Sequence, residues 1–211
     1  LKINQNYARN LFKLNFLFNS IIKKKREEIF NIINQEFHKG SDKDLLDVGT
    51  TSSLQEHENH IIKNFYGKVT ISCLSNLDLD SLKKIYPDIK TFTGDARKMN
   101  FTDNSFDLVI SNATIEHVGS DINQIEFIKE CIRVSKKKII ISTPNRFYPI
   151  EFHTKLPLIH YFKKNLHRKI LKYLGEDFLS KEENLNLLSK KDLVNFCVSL
   201  NIKNFKIKSV N

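Results

Sequence analysis

The sequence predicts an α/β fold: a mostly parallel sheet with helices on both faces and a helical lid inserted after the fifth strand. Three observations predict it. Short apolar runs end abruptly in small, polar turns, the first being D-L-L-D-V-G-T-T-S-S from Asp44 to Ser53. Stretches of helical periodicity separate those runs, and strand–helix alternation implies parallel strands joined by crossovers. Within the runs, apolar residues follow one another without alternation, as in Leu108-Val109-Ile110, which is the pattern of strands buried on both faces.

The elements follow in order. Ile21 to Phe37 reads as an amphipathic helix, with Ile21, Ile29, Ile32, Ile33 and Phe37 on one face, a Lys23–Glu27 pair at i,i+4 and Gly40 as the stop. Residues 1–40 are thereby expected to be an N-terminal helical segment. Strand one is Leu45 to Val48. Leu54 to Phe65 is expected to be a short helix or loop, broken by Gly67. Val69 to Leu74 is the second strand. Asp78 or Asp80 caps a helix from Ser81 to Tyr86, which Pro87 ends. Ile89 to Thr93 is the third strand, and Asp103-Asn104-Ser105 turns the chain into the fourth, Phe106 to Ser111. Asp121 to Val134 places Ile122, Ile125, Ile128 and Ile132 at helical spacing. Lys138 to Ser142 is the fifth strand. Phe147 to Gly175 then breaks the rhythm with Pro149 and Pro157 and an amphipathic run through Ile159, Phe162, Leu166, Ile170 and Tyr173. The lid is expected to extend over 147–188. Ser189 opens a last helix to Leu200 with Asp192 completing a capping box, and Phe205 to Val210 reads as a final strand. No linker divides the 211 residues, so one domain is expected over 1–211.

Composition excludes several classes. No apolar run reaches 18 residues, so no transmembrane helix is expected, and Lys2 to Asn19 lack the apolar core of a secretion signal. Leu1 in place of Met is compatible with a fragment or a processed product. Cys73, Cys131 and Cys197 are far apart, which argues against a zinc site or disulfide framework and fits a reducing cytosol; no metal ligands are expected. The formal net charge of +10 has two explanations, a lysine-rich background composition or an anionic partner. The basic residues are unevenly placed: between Phe152 and Gly175 there are six Lys or Arg and no acids. A cytoplasmic protein in peripheral contact with an anionic membrane is the partner expectation that follows.

Three polar clusters stand immediately after apolar strands: Asp47-Val48-Gly49, Gly94-Asp95-Ala96 and Ser111-Asn112-Ala113. In an open parallel sheet the C-terminal strand ends share one edge, and ligands bind in the crevice there. Gly49 allows a sharp turn and a close ligand approach, and Asp47 is expected to set a carboxylate at its mouth. His117 follows the fourth strand, where it could face a substrate as a base, and His153 lies with Glu151 in the insertion, where it could line the substrate pocket. Glu116 reads as a solvent-facing or capping carboxylate.

L-L-D-V-G-T, then G-D-A-R-K-M-N-F-T-D-N-S-F-D-L-V-I-S-N-A-T-I-E-H-V, resembles the class I S-adenosylmethionine-dependent methyltransferases, in particular the methyltransferase type 11 group. T-P-N-R-F-Y-P-I-E-F-H-T resembles a bacterial subgroup with cell-surface or unassigned substrates. The resemblance spans roughly Leu45 to Val210. It implies a Rossmann-like sheet, S-adenosylmethionine as cofactor, and site roles by position. Asp47 and Gly49 match the motif that holds the methionine part. Asp95 matches the acceptor of the adenine amino group, and Ala96 the residue whose backbone amide meets the ring. Ser111 and Asn112 match the motif near the sulfonium.

The sequence departs from the family in two places. D-x-G-x-G-x-G is D-V-G-T-T-S-S here, with Thr51 and Ser53 in place of later glycines, both small enough to keep the cofactor site. The acidic residue that closes the second strand is missing, Cys73 falls near its place, and Asp78 is the substitute from the next turn. The family also closes its sheet with a seventh strand, whereas Asn211 is the last residue here. The reading is a methyltransferase for a small molecule or a glycan or lipid-linked intermediate, with His117 and His153 as catalytic candidates. A non-enzymatic or catalytically weak scaffold is the first alternative, on T-T-S-S. A nucleic-acid methyltransferase is the second, disfavoured because Ala113-Thr114 replaces an N-P-P-Y motif. An NAD dehydrogenase is weaker still without G-x-G-x-x-G.

Overall fold

The computed structural model describes residues 12–37, 43–54, 58–149 and 151–210, with the backbone alone for 12–19 and 22. The described chain runs α1 (Phe12–Glu36), β1 (Asp44–Val48), α2 (His60–Phe65), β2 (Thr70–Ser75), α3 (Asp80–Ile85), β3 (Lys90–Thr93), β4 (Phe106–Asn112), α4 (Asp121–Val134), β5 (Ser135–Ser142), α5 (Lys164–Tyr173) and α6 (Lys190–Ser199). Single 3-10 turns stand at Ile115–His117 and Ile159–Tyr161.

The five strands form one sheet in the order β3-β2-β1-β4-β5, and each pairing is parallel. The chain lays down β1, β2 and β3 in one direction, then returns to the other side of β1 for β4 and β5. The reversal between β1 and β4 is the switch point at which such sheets open a crevice. Successive strand residues point to opposite faces, and the core divides accordingly. Leu46, Val48, Leu74, Phe106 and Val109 pack toward Phe127, Ile128, Cys131 and Val134 of α4 and Phe196 of α6. Leu45, Ile71, Cys73, Leu108 and Ile110 face the other way, toward Ile33 of α1, Ile61, Ile62 and Phe65 of α2, and Leu82 of α3. This is the α/β, Rossmann-like architecture that the sequence predicts.

Several boundaries differ from the expectation. The first helix begins at Phe12 rather than Ile21, since no Gly or Pro interrupts that stretch. Its buried stripe is centred on Ile33, Ile21 is exposed, and the ion pair is Lys25–Glu28 at 3.2 Å. Gly40 lies outside the described residues. In α4 the buried face is Gln124, Phe127, Ile128, Cys131 and Val134, while Ile122 and Ile132 are exposed. The i, i+3, i+4 register thus runs through the glutamine. Residues 205–210 form no strand. They pair with none of the five strands, Phe205 is exposed, and Lys208 reaches Glu36 at 3.6 Å. Ser189 and Asp192 do form the capping box that starts α6.

The segment between β5 and α6 returns to the sheet edge. Asn145 bridges Leu188 in parallel, and the Arg146 amide donates to the Leu188 carbonyl at 2.8 Å. One residue pair further, the Asn186 amide donates to the Glu116 carbonyl at 2.7 Å. Residues 185–188 therefore lie as a strap across the turn at Ile115–His117. Gln124, fully buried, ties both together by donating from Nε2 to the carbonyls of Ile115 at 3.1 Å and Asn186 at 2.8 Å. Replacing Gln124 with Met keeps the volume and leaves both carbonyls short of a donor, which costs about 1–3 kcal/mol. Urea denaturation of Q124M should show that loss; an unchanged midpoint would remove Gln124 from the strap's support.

Candidate functional site

The turn after β1 is built from short bonds. The Gly49 amide donates to the Leu74 carbonyl at 2.8 Å, and its φ of +86° is a conformation that suits glycine. A Cβ there would stand 2.1 Å from Thr114 Oγ1. The space over Gly49 thus belongs to Thr114, a residue given no site role by the sequence, and that side chain also donates to the Val48 carbonyl at 3.3 Å. Ser111 is buried and donates to the same carbonyl at 2.9 Å, so its hydroxyl helps to shape the turn. Thr51 accepts from the Ser53 amide at 3.2 Å, closing the next step of the loop. Asp47 is buried beneath the turn rather than open at its mouth. It accepts from Thr50 Oγ1 at 2.9 Å, and burial, only partly opposed by that bond, pushes its carboxyl up to about 6.

The ends of β3 and β4 stay open. Asp95 is half exposed and is held by Arg97 through bonds of 2.6, 2.9 and 3.0 Å; these bonds, opposed by partial burial, keep its carboxyl below the usual range. Arg97 also reaches the Val118 carbonyl at 3.4 Å, which brings the Gly94-Asp95-Ala96 turn to the side of the Ile115–His117 turn. Ala96 packs partly against the core. Asn112 is exposed and accepts from Ser142 of β5 through Oδ1. Cys73 pairs with Asp47 in register and is fully buried, and desolvation, then the nearby Asp47 charge, push its thiol up to about 12; it is not at the strand end. Ser75 and the exposed Asn76 stand there instead, and Asp78 spends one carboxylate oxygen on the Asp80 amide at 2.8 Å.

The densest constellation joins the fourth strand's turn to the insertion. His117 Nε2 and His153 Nε2 are 3.0 Å apart with the rings at 84°. His117 Nδ1 lies 2.6 Å from the Asn184 carbonyl, and His153 Nδ1 lies 2.6 Å from Glu151 Oε1. Glu151 is buried. Burial alone would raise its carboxyl, but the His153 side chain and the amides of His153 and Thr154 donate to it and hold it down to about 2. For His153, burial lowers the proton affinity, and the carboxylates of Glu151 and Glu116 raise it further than that. Glu116 is fully buried, not solvent-facing. Its Oε2 accepts from Thr143 at 2.9 Å, its Oε1 has no partner, and burial raises its proton affinity. Oε1 is 3.9 Å from His153 Nε2. The sequence reading named both histidines but not their contact, because 36 residues separate them.

Three of the five residues of the expected apolar stripe are turned outward, while Ile159 and Ile170 are half-buried. Phe162, Leu166 and Tyr173 are exposed, whereas His160, His167 and Leu171 are buried. His160 Nε2 meets the Tyr148 carbonyl at 2.6 Å, and burial drives His167 down to about 4. Lys163, Lys169 and Lys172 border the exposed stripe; Lys164 is paired with Asp121 at 2.9 Å and Arg168 with Glu182 at 2.7 Å. A surface depression of about 430 Å³ lined by Lys43, Tyr66, Thr70 and Ile89 lies at the opposite, N-terminal edge of the strands.

Residues 46–141 match the family described as the methyltransferase domain. Curated proteins give no match. Among solved structures, a SAM-dependent methyltransferase from Methanosarcina mazei superposes with a TM-score of 0.56 at 17% identity over 80% of this chain and 82% of that one. The YcgJ protein from Bacillus subtilis gives 0.55 at 15% identity over 82% and 67%. A SAM-dependent methyltransferase from Thermotoga maritima gives 0.53 at 15% identity over 90% and 75%. These likenesses are likenesses of fold.

Asp47 carries a pH-dependent cost. The folded state holds its proton up to about pH 6, against 3.8 for the ordinary carboxyl, so the penalty is absent below that lower value and grows until pH passes 6. Two units correspond to about 3 kcal/mol. Asp47→Asn should raise the melting temperature of the ligand-free protein at pH 8 and leave it unchanged at pH 3.5. An equal gain at both values would mean that charge burial is not the cause.

Proposed function

Starting from a chain whose residues 46–141 match the methyltransferase domain family, we propose that it is a class I, S-adenosylmethionine-dependent enzyme that methylates a hydroxyl group on a small molecule or on a glycan or lipid-linked intermediate. The cofactor supplies a methyl group already activated by the sulfonium. The chain's residues fit it. Gly49, Thr51 and Asp47 shape the loop at the switch point, and Asp95 and Ala96 offer an exposed carboxylate and a backbone amide at the adenine end. Ser111 holds the turn, and exposed Asn112 stands near the reacting end.

The observation that carries the acceptor chemistry is the His117–His153 contact. The Asn184 carbonyl can only accept, so His117 Nδ1 bears a proton. Ionised Glu151 likewise fixes the proton of His153 on Nδ1. Both Nε2 atoms are then proton acceptors at the edge of the crevice. An acceptor hydroxyl placed there can pass its proton to the pair as its oxygen attacks the methyl carbon, a task suited to histidine near neutral pH. His153→Asn should lower kcat by about 10²–10⁴-fold and leave S-adenosylhomocysteine affinity, read by calorimetry, unchanged. Full activity in a folded variant would remove the pair from the reaction.

The lid supports an acceptor presented at an anionic lipid surface. Phe162, Leu166 and Tyr173 form an exposed stripe flanked by Lys163, Lys169 and Lys172, the pattern of an interfacial helix. No described helix is long and apolar enough to cross a membrane. The protein should sediment with anionic vesicles and not with neutral ones, and replacing those three lysines with Gln should release it. Protein left in the supernatant with anionic vesicles at low salt would end this part of the reading.

A further inference from the structure

The geometry points to a divalent transition-metal site formed by Glu116 Oε1, His117 Nε2 and His153 Nε2; it rests on the methyl-transfer reading above and replaces the histidine pair as proton acceptor with a metal that holds the acceptor oxygen. The donor atoms of these three residues lie within 4.8 Å of one another. With both Nδ1 atoms committed to the Asn184 carbonyl and to Glu151, neutral rings direct two lone pairs at each other across 3.0 Å. Two lone pairs at that distance repel unless a positive centre sits between or beside them. Glu116 adds the independent sign. It is fully buried, its Oε2 is satisfied by Thr143, and its Oε1 faces the pair with no donor. A buried acceptor without a partner is costly, and a cation removes the cost.

The distances suit a metal. Two ligands bound at about 2.1 Å and at right angles stand about 3.0 Å apart, which is the separation of the two nitrogens. Glu116 Oε1, at 3.9 Å from His153 Nε2, needs only a small side-chain shift. The surroundings are those that metal-binding histidines have: one donates to a carboxylate, the other to a backbone carbonyl, and both rings are thereby fixed in tautomer and direction. Two imidazoles and one carboxylate prefer Zn²⁺, Co²⁺, Mn²⁺ or Fe²⁺ over Mg²⁺ or Ca²⁺. Their summed charge of −1 leaves a divalent ion one positive charge.

His117 is exposed, so positions opposite the three ligands open to the crevice. An acceptor hydroxyl bound there loses its proton to water more readily. Its oxygen forms the O–CH3 bond while the C–S bond breaks and its electron pair stays on sulfur. The cation acts as a Lewis acid and changes no oxidation state.

The test is direct binding. Protein freed of metal by chelation is titrated with Co²⁺ by visible absorption and with Zn²⁺ by calorimetry, without cofactor or acceptor. One equivalent at micromolar affinity or tighter is expected. Glu116→Gln, which keeps shape and removes charge, should weaken binding at least 10-fold, and Glu151→Gln, which meets the His153 ring at its outer nitrogen and keeps an oxygen for the backbone amides, about 10–100-fold. Circular dichroism checks that both variants fold. No binding at 100 µM metal, or binding equally tight in Glu116→Gln, overturns the site. If metal does not bind yet His153→Asn still abolishes methyl transfer, the pair works with a shared proton, and the methyl-transfer reading survives the loss of this one.

Discussion

The parallel pairing of β1 with β4 is the constraint on which the rest depends. Leu45, Leu46 and Asp47 lie opposite Leu108, Val109 and Ile110, and both strands are buried along nearly their whole length. Because the strands are parallel, their C-terminal ends fall at one edge. Because each face packs against its own helices, a one-residue slip would exchange the two sets of side chains and undo both packings. The Gly49 turn and the Asn112 turn are therefore held at one level. Thr114 closes over Gly49, Ser111 meets the Val48 carbonyl, and the Ile115–His117 turn follows directly. Every candidate group on β4's side inherits its position from that register.

The strap at 185–188 supplies what the sheet cannot. It pairs Asn145 with Leu188 and the Glu116 carbonyl with the Asn186 amide, beside a Glu116 side chain that is fully buried. Asp47 and Glu116 are both buried carboxylates whose proton affinity is raised by burial. A sequence selected for stability alone would replace such groups, since apolar residues of similar volume cost less to bury. Their placement at the crevice edge, one under the Gly49 turn and one beside the histidine pair, is where perturbed carboxylates mark a candidate site.

The insertion shows the same division of labour on a helix. α5 turns His167 and Leu171 inward while His160 is buried in the turn before it, and the longer apolar residues are left outside. Arg146 holds the start of the insertion by donating to the carbonyls of His160 and Phe162, and Lys164 pins α5 to Asp121 at the start of α4. The helix is thus anchored on its inner side by these polar contacts and by buried Leu171, and Phe162, Leu166 and Tyr173 are left exposed.

What the sequence by itself determined is the part carried by local pattern. Uninterrupted apolar runs and polar strand ends specify the parallel sheet, its five strands and the three turns at one edge, because strand burial and turn chemistry act over a few residues. The capping box at Ser189 was legible for the same reason. Tertiary structure alone decided the rest. Periodicity marks an amphipathic helix but not which neighbour its faces meet, so Gln124 and His167 are buried where Ile122 and Leu166 were expected. Residues 205–210 alternate like a strand, yet they pair with none of the five strands, and pairing is what makes a strand. His117, His153 and Glu116 meet only because the strap and the insertion fold back on the end of β4, a contact between residues far apart in the chain that no local pattern encodes.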